Sequence, residues 1–282
     1  MTRLVAYGTV VRIVAMSLTG LTLFLFTKLH GVVVGASALS VGVISEAVAT
    51  RFMAAGVLKK LLSVEENGKD ITFKEIINFY TPLVLTSFIS LGVQPIVTFF
   101  MSQSVMPLES LAVLPVLNSL VFIFRAFGLS FQEVGVALIK TKKEYKLLQN
   151  SALMLAGFVL FGLAMISLTP LGNVWLEDVA GLSMQLSEFA KIPLMIYTIF
   201  PAGTVWINFQ RSVLINVKNT KPITYASSIE VVGLLIVLII TVKFLSVIGA
   251  LAAVIAYIIG RSFSISYLMF PFRDAKKIIY SR

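Results

Sequence analysis

The sequence predicts an all-α protein that crosses a membrane about eight times, and three observations support this fold class. Of the 282 residues, 58% are hydrophobic and 13% are charged, whereas a soluble domain carries about 25% charged residues. The apolar residues fall into separate stretches long enough to cross the hydrocarbon core, which takes about 20 residues in an α-helix. Short clusters of lysine and arginine lie between these stretches. Together these features indicate a polytopic membrane protein.

Eight apolar segments follow one another, separated by polar, glycine or proline residues. They comprise residues 4–27, 32–55, 79–102, 107–140, 150–168, 186–213, 222–241 and 247–269. Seventeen lysines and arginines lie on one side of these spans and three on the other, with Arg12, Arg125 and Arg261 inside spans. The positive-inside rule therefore predicts an inner or plasma membrane protein with both termini in the cytoplasm.

The third span contains an interruption near its middle. Pro95 has no N–H to donate to the carbonyl of Leu91, and Gln94 brings an amide to mid-membrane depth. In lipid, such a gap is tolerated where it packs in protein or lines a water-filled cavity. The span therefore indicates transport. The alternative is a packing kink in which Gln94 bonds to a neighbouring helix.

Several function classes leave no sign in the sequence. There is no Walker lysine loop, no spacing of metal ligands and no nucleophile–histidine pair. Cysteine is absent, and the single histidine, His30, falls in a turn between two spans. The net charge of +10 comes from clusters between spans, which is typical of membrane topology rather than of a nucleic-acid interface. We expect no enzyme activity, no cofactor, no metal and no nucleic-acid partner.

The two ends of the chain resemble each other. Tyr7 matches Tyr225 and Gly35 matches Gly249, and the offset stays between 214 and 218 along both hairpins. Two hairpins in equivalent places of two lobes would produce this pattern, and such repeats are common in transporters. If the hairpins correspond in this way, we expect a second lobe of six helices and a first lobe of only two, with four helices missing in front.

The repeat predicts the domain organisation. Residues 1–60 form the last two helices of an incomplete N-terminal lobe, and residues 61–75 form a cytoplasmic linker with an interfacial turn. Residues 76–272 form a six-helix C-terminal lobe, and residues 273–282 form a basic cytoplasmic tail.

Six ionisable residues fall inside the predicted spans, where each costs a few kcal/mol or more if it faces lipid. They are Arg12, Glu46, Arg125, Glu133, Glu230 and Arg261. Arg12 and Glu46 lie at matching depth on adjacent antiparallel helices, and Glu230 and Arg261 do the same in the last hairpin. We expect two ion pairs of swapped polarity, which either staple their hairpins or form a gate whose ions separate during transport.

A substrate site is expected between the third, fourth and sixth spans. Its candidate residues are Arg125, Glu133, Gln94, Asn118, Asn208 and Gln210. Arg125 is the best candidate for binding an anionic group, because a guanidinium keeps its charge at depth and offers several donors. Its alternatives are snorkelling to the membrane surface or an internal pair with Glu133, two turns along the same helix.

Four segments from residue 76 onward carry a family resemblance. They read FYTPLVLTSF, QPIVTFFMSQS, LAVLPVLNSLVFIFRAFGLSFQEV and FPAGTVWINFQRSVLINVKNTKP. Together they resemble the second half of the multidrug/oligosaccharidyl-lipid/polysaccharide (MOP) flippase superfamily, which includes MATE exporters and progressive-ankylosis transporters. The ankylosis-type branch is the most similar, through the QPIV stretch and the exit of the sixth span.

The resemblance implies a MATE-like C-terminal six-helix lobe and, in residues 1–60, helices five and six of a twelve-helix fold that looks truncated at its N-terminus. It implies a secondary-active exporter or flippase that moves an amphipathic or anionic organic substrate, small or lipid-linked, by alternating access. The coupling ion, a proton or sodium, stays open because MATE exporters often place the coupling carboxylates in the missing helices. The alternative is a non-transporting membrane fragment or assembly partner that needs a second chain to complete the N-terminal lobe.

Overall fold

The structure, a computed structural model, describes residues 2–62 and 72–281. These residues are helical almost throughout and contain no β-strand, which confirms the predicted all-α class. The helices in chain order are α1 (Thr2–Phe26), α2 (Gly31–Leu62), α3 (Phe73–Met101), α4 (Pro107–Leu138), α5 (Lys142–Ser167), α6 (Leu171–Asn173), α7 (Met184–Tyr197), α8 (Phe200–Asn216), α9 (Lys221–Ile239) and α10 (Gly249–Tyr280). Two π-helical turns, Val174–Val179 and Ile240–Phe244, follow α6 and α9.

Seven helical segments among the described residues are long and apolar enough to cross a membrane. They are Tyr7–Phe26, Gly31–Gly56, Pro107–Leu138, Lys142–Ser167, Met184–Asn216, Lys221–Phe244 and Gly249–Tyr280. The sixth predicted span is made of α7 and α8 together. The third predicted span corresponds to α3, which has 29 residues and an apolar part at Ser87–Met101. The chain is therefore a multi-pass membrane protein.

The chain divides into two compact units, Met1–Asp70 and Ile71–Arg282. In the first unit, α1 and α2 pack against each other as a hairpin. Gly8 and Ala38 are buried in this hairpin, as is usual where small residues let spanning helices approach closely. Most of the predicted linker, residues 63–71, lies outside the described residues.

In the second unit, α8 is largely buried and packs against α4, α5 and α10, while α9 packs against α3 and α10. Two glycines allow the closest approaches. A Cβ at Gly128 of α4 would lie 2.9 Å from the backbone nitrogen of Val205 on α8. A Cβ at Gly260 of α10 would lie 2.6 Å from the carbonyl oxygen of Glu230 on α9. These two helix contacts therefore depend on the absence of a side chain.

The second unit has two apolar cores with a polar layer between them. One core surrounds Leu117 and Leu194, and the other surrounds Phe209 and Leu268. Five helices, α4, α5, α8, α9 and α10, contribute residues to both cores. All of them except α5 carry polar side chains near the boundary between the two cores. These side chains are Arg125, Thr204, Asn208, Ser227, Glu230, Arg261 and Ser264.

The helix α3 is continuous from its first residue to its last. The interruption that was expected at Pro95 is therefore absent. A proline removes one backbone hydrogen bond, and the bonds of the neighbouring turns keep a long helix intact. Gln94, one residue earlier, lines a cavity of the second unit.

The helix α10 is longer than predicted. The last span was expected to end near residue 269, followed by a tail at residues 273–282, but the helix continues through most of that tail. Phe272, Ala275 and Ile279 are buried in the second core. They recur at spacings of three and four residues, which places them on one helix face. Arg273, Lys276 and Lys277 of the predicted tail therefore lie on a packed helix.

Replacing Ile279 by alanine should destabilise the protein by about 2–5 kcal/mol, because the side chain is fully buried in the second core. The midpoint of thermal unfolding of the purified protein in detergent measures the effect. Ile278→Ala is the matched control, since the neighbouring isoleucine is 49% exposed and should matter little. Equal losses in the two variants would contradict the packing of the α10 extension.

Candidate functional site

The polar layer of the second unit borders a cavity of about 280 Å³. Residues of α3, α4, α7, α8, α9 and α10 form its walls. Its charged lining residues are Arg125, Arg211, Arg261 and Glu230. The cavity therefore contains three cationic side chains and one anionic side chain.

One wall of the cavity is a single face of α8. Phe200, Thr204, Asn208 and Arg211 line the cavity at spacings of four, four and three residues. Residues at this spacing lie above one another on a helix. At 1.5 Å per residue, the stripe is about 16 Å long, so a single helix face connects the aromatic end of the cavity with Arg211.

Glu230 of α9 and Arg261 of α10 form an ion pair in the cavity wall. Nε and Nη2 of Arg261 each lie 2.8 Å from Oε1 of Glu230. Nη1 of Arg261 donates to Oγ1 of Thr204 on α8 at 3.2 Å. The side chains of Arg261 and Glu230 are 12% and 18% exposed. The pair expected in the last hairpin is thus present, largely buried and tied to a third helix.

Arg125 of α4 contacts an aromatic ring. Its guanidinium carbon lies 5.0 Å from the ring centroid of Phe200, and that of Arg261 lies 4.7 Å from the same centroid. Phe200 therefore makes cation–π contacts with two guanidinium groups. Among residues 2–62 and 72–281, Nε of Arg125 has no hydrogen-bond partner, and no carboxylate oxygen lies within 4.0 Å of its guanidinium.

Arg211 of α8 is a second cation in the cavity wall. Its Nη2 donates to the hydroxyl of Ser227 on α9 at 3.1 Å. In the described part of the chain, its Nε is buried without a hydrogen-bond partner and it makes no ion pair. The distribution of basic residues assigns Arg211 to the cytoplasmic side of its span, but the structure places it in the cavity lining.

The cavity carries excess positive charge. Because Glu230 is engaged with Arg261, no described carboxylate forms an ion pair with Arg125 or Arg211. An uncompensated cation within a membrane-spanning bundle costs several kcal/mol. The arrangement therefore favours an anion in the cavity.

Three aromatic rings form an apolar part of the cavity wall. Tyr197 and Tyr257 stack with centroids 5.9 Å apart and planes 8° from parallel. The ring of Phe200 lies 5.2 Å from that of Tyr197 and 6.0 Å from that of Tyr257. The hydroxyl of Tyr197 donates to Oδ1 of Asn118 at 2.9 Å, which orients its ring. Flat rings beside guanidinium groups suit a ligand with an apolar portion next to its negative charge.

A second cavity, of about 410 Å³, adjoins the first between α3 and α4. The two cavities share Gln94 and Asn118. The other lining residues of the second cavity are mostly apolar, namely Thr98, Met101, Leu111, Leu114 and Pro115. A charged compartment and an apolar compartment therefore lie side by side in the second unit.

Four of the six candidate substrate-site residues line the charged cavity: Gln94, Asn118, Arg125 and Asn208. Asn208 is 1% exposed. Its amide nitrogen and oxygen are both buried without a hydrogen-bond partner in the part of the chain that the structure describes. These two atoms are available to a polar ligand.

Glu133 and Gln210 do not line the cavity. Glu133 is exposed near the end of α4, about 12 Å along the axis from Arg125 and about 80° around it. Gln210 donates from Nε2 to the carbonyl oxygen of Ile265 on α10 at 3.4 Å. It lies about 200° around α8 from Asn208. Both residues were predicted to belong to the site because of their depth in the membrane. They lie on other faces of their helices and therefore do not reach the cavity.

Arg211 and the aromatic residues of the cavity were not predicted from the sequence. The available signal is the spacing from Phe200 to Arg211, which places one aromatic, two uncharged polar and one charged side chain on a single face of an apolar helix. Such a face is unusual in a helix surrounded by apolar neighbours.

The first unit contains the other expected ion pair. Nη1 of Arg12 lies 3.6 Å from Oε2 of Glu46, and their side chains are 43% and 27% exposed. The basic residue comes first in this hairpin and second in the α9–α10 hairpin. The two hairpins therefore carry similar pairs with swapped polarity.

Comparison of the chain with protein-family models, with curated proteins and with solved structures found no match. Within the described residues, no group of three or more histidine, aspartate or glutamate side chains is placed to hold a metal ion. The interpretation of the site therefore rests on its own geometry, which is that of a positively charged cavity with aromatic walls.

Glu230→Gln and Arg261→Gln should each destabilise the protein, because each leaves the other charge buried without its partner. The double variant should lose less than the sum of the single losses, with a coupling free energy of about 0.5–3 kcal/mol. Thermal unfolding of the three variants in detergent measures the cycle. The matched control is the cycle of Arg12→Gln and Glu46→Gln, whose more exposed pair should couple more weakly. Additive losses at Glu230 and Arg261 would refute their pairing.

Proposed function

We propose that this chain is a secondary-active membrane transporter, an exporter or flippase, that moves an anionic or amphipathic organic substrate by alternating access. The observation that carries the proposal is the charge of the cavity, where Arg125, Arg211 and Arg261 face a single acid, Glu230. Unpaired cations in a spanning bundle are costly. A protein that needed only stability would have no use for two of them beside one cavity.

The position of Arg125 supports a substrate site near the middle of the membrane. At 1.5 Å per residue, Arg125 lies about 27 Å from the start of α4 and about 20 Å from its end. Secondary transporters bind their substrates near the bilayer midplane, at interfaces between structural repeats. Part of the cavity wall comes from α9 and α10, the hairpin that resembles α1 and α2 in sequence.

The lining residues favour a substrate that combines negative charge with an apolar portion. Guanidinium groups bind carboxylate and phosphate oxygens through planar pairs of donors. The rings of Tyr197, Phe200 and Tyr257, with the adjoining apolar cavity, would hold the uncharged portion. The proposed substrates include both small organic anions and lipid-linked ones.

The ion pair of Glu230 and Arg261 is the proposed gate element. Arg125 and Arg261 contact the same aromatic ring, so an anion bound at Arg125 would lie close to Arg261. Such an anion would compete with Glu230 for the guanidinium of Arg261. Weakening the pair loosens the contact between α9 and α10. The ligand then binds with different affinities to the closed state, in which the pair is formed, and to the open state, in which it is broken. The alternative is that this pair, and the pair in the first unit, only hold together the two helices of their hairpins.

The proposed location is the inner or plasma membrane, with both termini in the cytoplasm, because lysine and arginine concentrate on that side of the spans. The proposed energy source is a proton or sodium gradient, or the gradient of the substrate itself, since the sequence has no Walker lysine loop. The motif resemblance to the MOP flippase superfamily, and to its ankylosis-type branch, agrees with this mode of transport.

Arg125→Gln should reduce the flux of organic anions about tenfold or more, because it removes one uncompensated guanidinium from the cavity. The measurement is substrate-dependent flux into liposomes that contain the purified chain, with a panel of carboxylate and phosphate compounds. The matched control is Glu133→Gln, which changes a charged residue of the same helix that is exposed and outside the cavity. The control should transport at the wild-type rate.

Two results would contradict these assignments. Efflux of cationic dyes that survives Arg125→Gln would contradict the anionic substrate and favour a cationic drug. Absence of substrate-dependent flux in the wild-type chain, unchanged in the variant, would contradict transport by this chain alone. That result would favour a membrane subunit that acts only with a second chain.

A further inference from the structure

The ends of α5 and α10 form a second basic site, outside the lining of the cavity. The last turns of α10 pack against the first turn of α5 through Tyr145, which is fully buried. Its ring lies 5.5 Å from the ring of Tyr280 in an edge-to-face contact and 6.3 Å from the ring of Phe272. These contacts hold the two helix ends together and fix the positions of the charged residues around them.

Two lysines from different helices lie at the same aromatic ring. Nζ of Lys142, on α5, lies 5.0 Å from the ring centroid of Tyr280. Nζ of Lys276, on α10, lies 5.3 Å from the same centroid and 5.6 Å from that of Tyr145. Each ammonium group is attracted to the rings. Because both lie close to one ring centroid, the two like charges are at most about 10 Å apart, and they repel each other. An anion bound to both would remove this repulsion.

The nearby acidic residues are engaged elsewhere. Glu144 caps α5 by accepting the backbone N–H of Thr141 at 2.8 Å. Asp274 pairs with Lys277 at 3.0 Å. Among the residues that the structure describes, no carboxylate oxygen lies within 4.0 Å of either lysine at the ring of Tyr280. The positive charge at this ring is therefore not compensated by the protein.

The surrounding chain adds further positive charge. Residues 140–146 and 273–280 contain seven basic and two acidic side chains. The basic residues around the two lysines are exposed, and they are Lys140, Lys143, Lys146, Arg273 and Lys277. Clusters of this size beside a spanning helix attract the headgroups of anionic lipids.

The apolar residues beside the cluster indicate that the anion belongs to a lipid. Leu153 and Leu160 of α5 lie within about 20° of Lys142 around the helix, and they are 54% and 38% exposed. On α10, Met269 lies about 20° around the helix from Lys276 and is 44% exposed. Because α5 is long and apolar enough to span the membrane, acyl chains along this face would carry a headgroup to the lysines. A free anion requires no such face.

We propose that Lys142 and Lys276 bind the phosphate headgroup of an anionic phospholipid beside the ring of Tyr280. Each ammonium group offers three donors, so the pair can serve several phosphate oxygens at once. The lipid bridges α5 and α10 and thereby stabilises the α10 extension. The site makes no use of the cavity residues and does not depend on the proposed transport.

The test is a titration of the purified protein, in a nonionic detergent, with dioctanoyl phosphatidylglycerol. The midpoint of thermal unfolding should rise and saturate as the lipid binds the folded state. Dioctanoyl phosphatidylcholine has the same chains without the net charge, and inorganic phosphate has the charge without the chains. An equal rise with phosphatidylcholine would overturn headgroup recognition, and an equal rise with phosphate alone would overturn the assignment to a lipid.

The double variant Lys142→Gln/Lys276→Gln should bind phosphatidylglycerol about twenty-fivefold more weakly, at roughly fivefold for each lysine. Lys142→Arg/Lys276→Arg should retain binding, which shows that the variant site folds and requires charge. The matched control is Lys218→Gln/Lys221→Gln, which removes one exposed lysine after α8 and one at the start of α9 and should bind as the wild type does. An equal loss in this control would overturn a specific site. A loss in Arg125→Gln would place the lipid in the cavity and also overturn it.

Discussion

The ion pair between Glu230 and Arg261 is the interaction on which the second unit depends. A charged side chain inside a membrane-spanning bundle costs several kcal/mol unless a partner compensates it. The pair satisfies both charges, and Thr204 accepts a further donor of Arg261. The helices α9 and α10 approach closely because Gly260 has no side chain in the path of the backbone carbonyl of Glu230. A polar layer can therefore lie between two apolar cores without separating them.

The other two arginines of the cavity are not required for that packing. Arg125 contacts Phe200 and Arg211 contacts Ser227, and neither contact neutralises the charge. Replacing buried ionic groups by apolar residues of similar size is often neutral or stabilising, so stability alone does not account for them. The proposed function accounts for them, because in the wall of the cavity they would compensate the charge of an anionic substrate.

Depth along the spans was enough to predict both ion pairs and the presence of Arg125 in the cavity, because equal distances from one membrane face bring residues of neighbouring helices together. Depth does not show which side of a helix a residue lies on. For that reason Glu133 and Gln210 were wrongly assigned to the cavity. In a soluble helix, hydrophobic periodicity identifies the inward face, but a helix that is apolar on all sides gives little such signal. The extension of α10 was missed because its basic residues obscured the apolar face that packs in the second core.

The two hairpins show how a similar pair of residues acquires a different environment. Arg12 and Glu46 lie 3.6 Å apart with side chains 43% and 27% exposed, while Arg261 and Glu230 lie 2.8 Å apart and are 12% and 18% exposed. The difference arises within the second unit, where α8 covers the pair and the hydroxyl of Thr204 accepts a hydrogen bond from Arg261. Charges interact more strongly in such a low-dielectric setting and cost more to separate. A ligand that altered the charge beside the enclosed pair would therefore alter the packing of α9 on α10. In the proposed transport cycle, this would couple binding to opening, as alternating access requires.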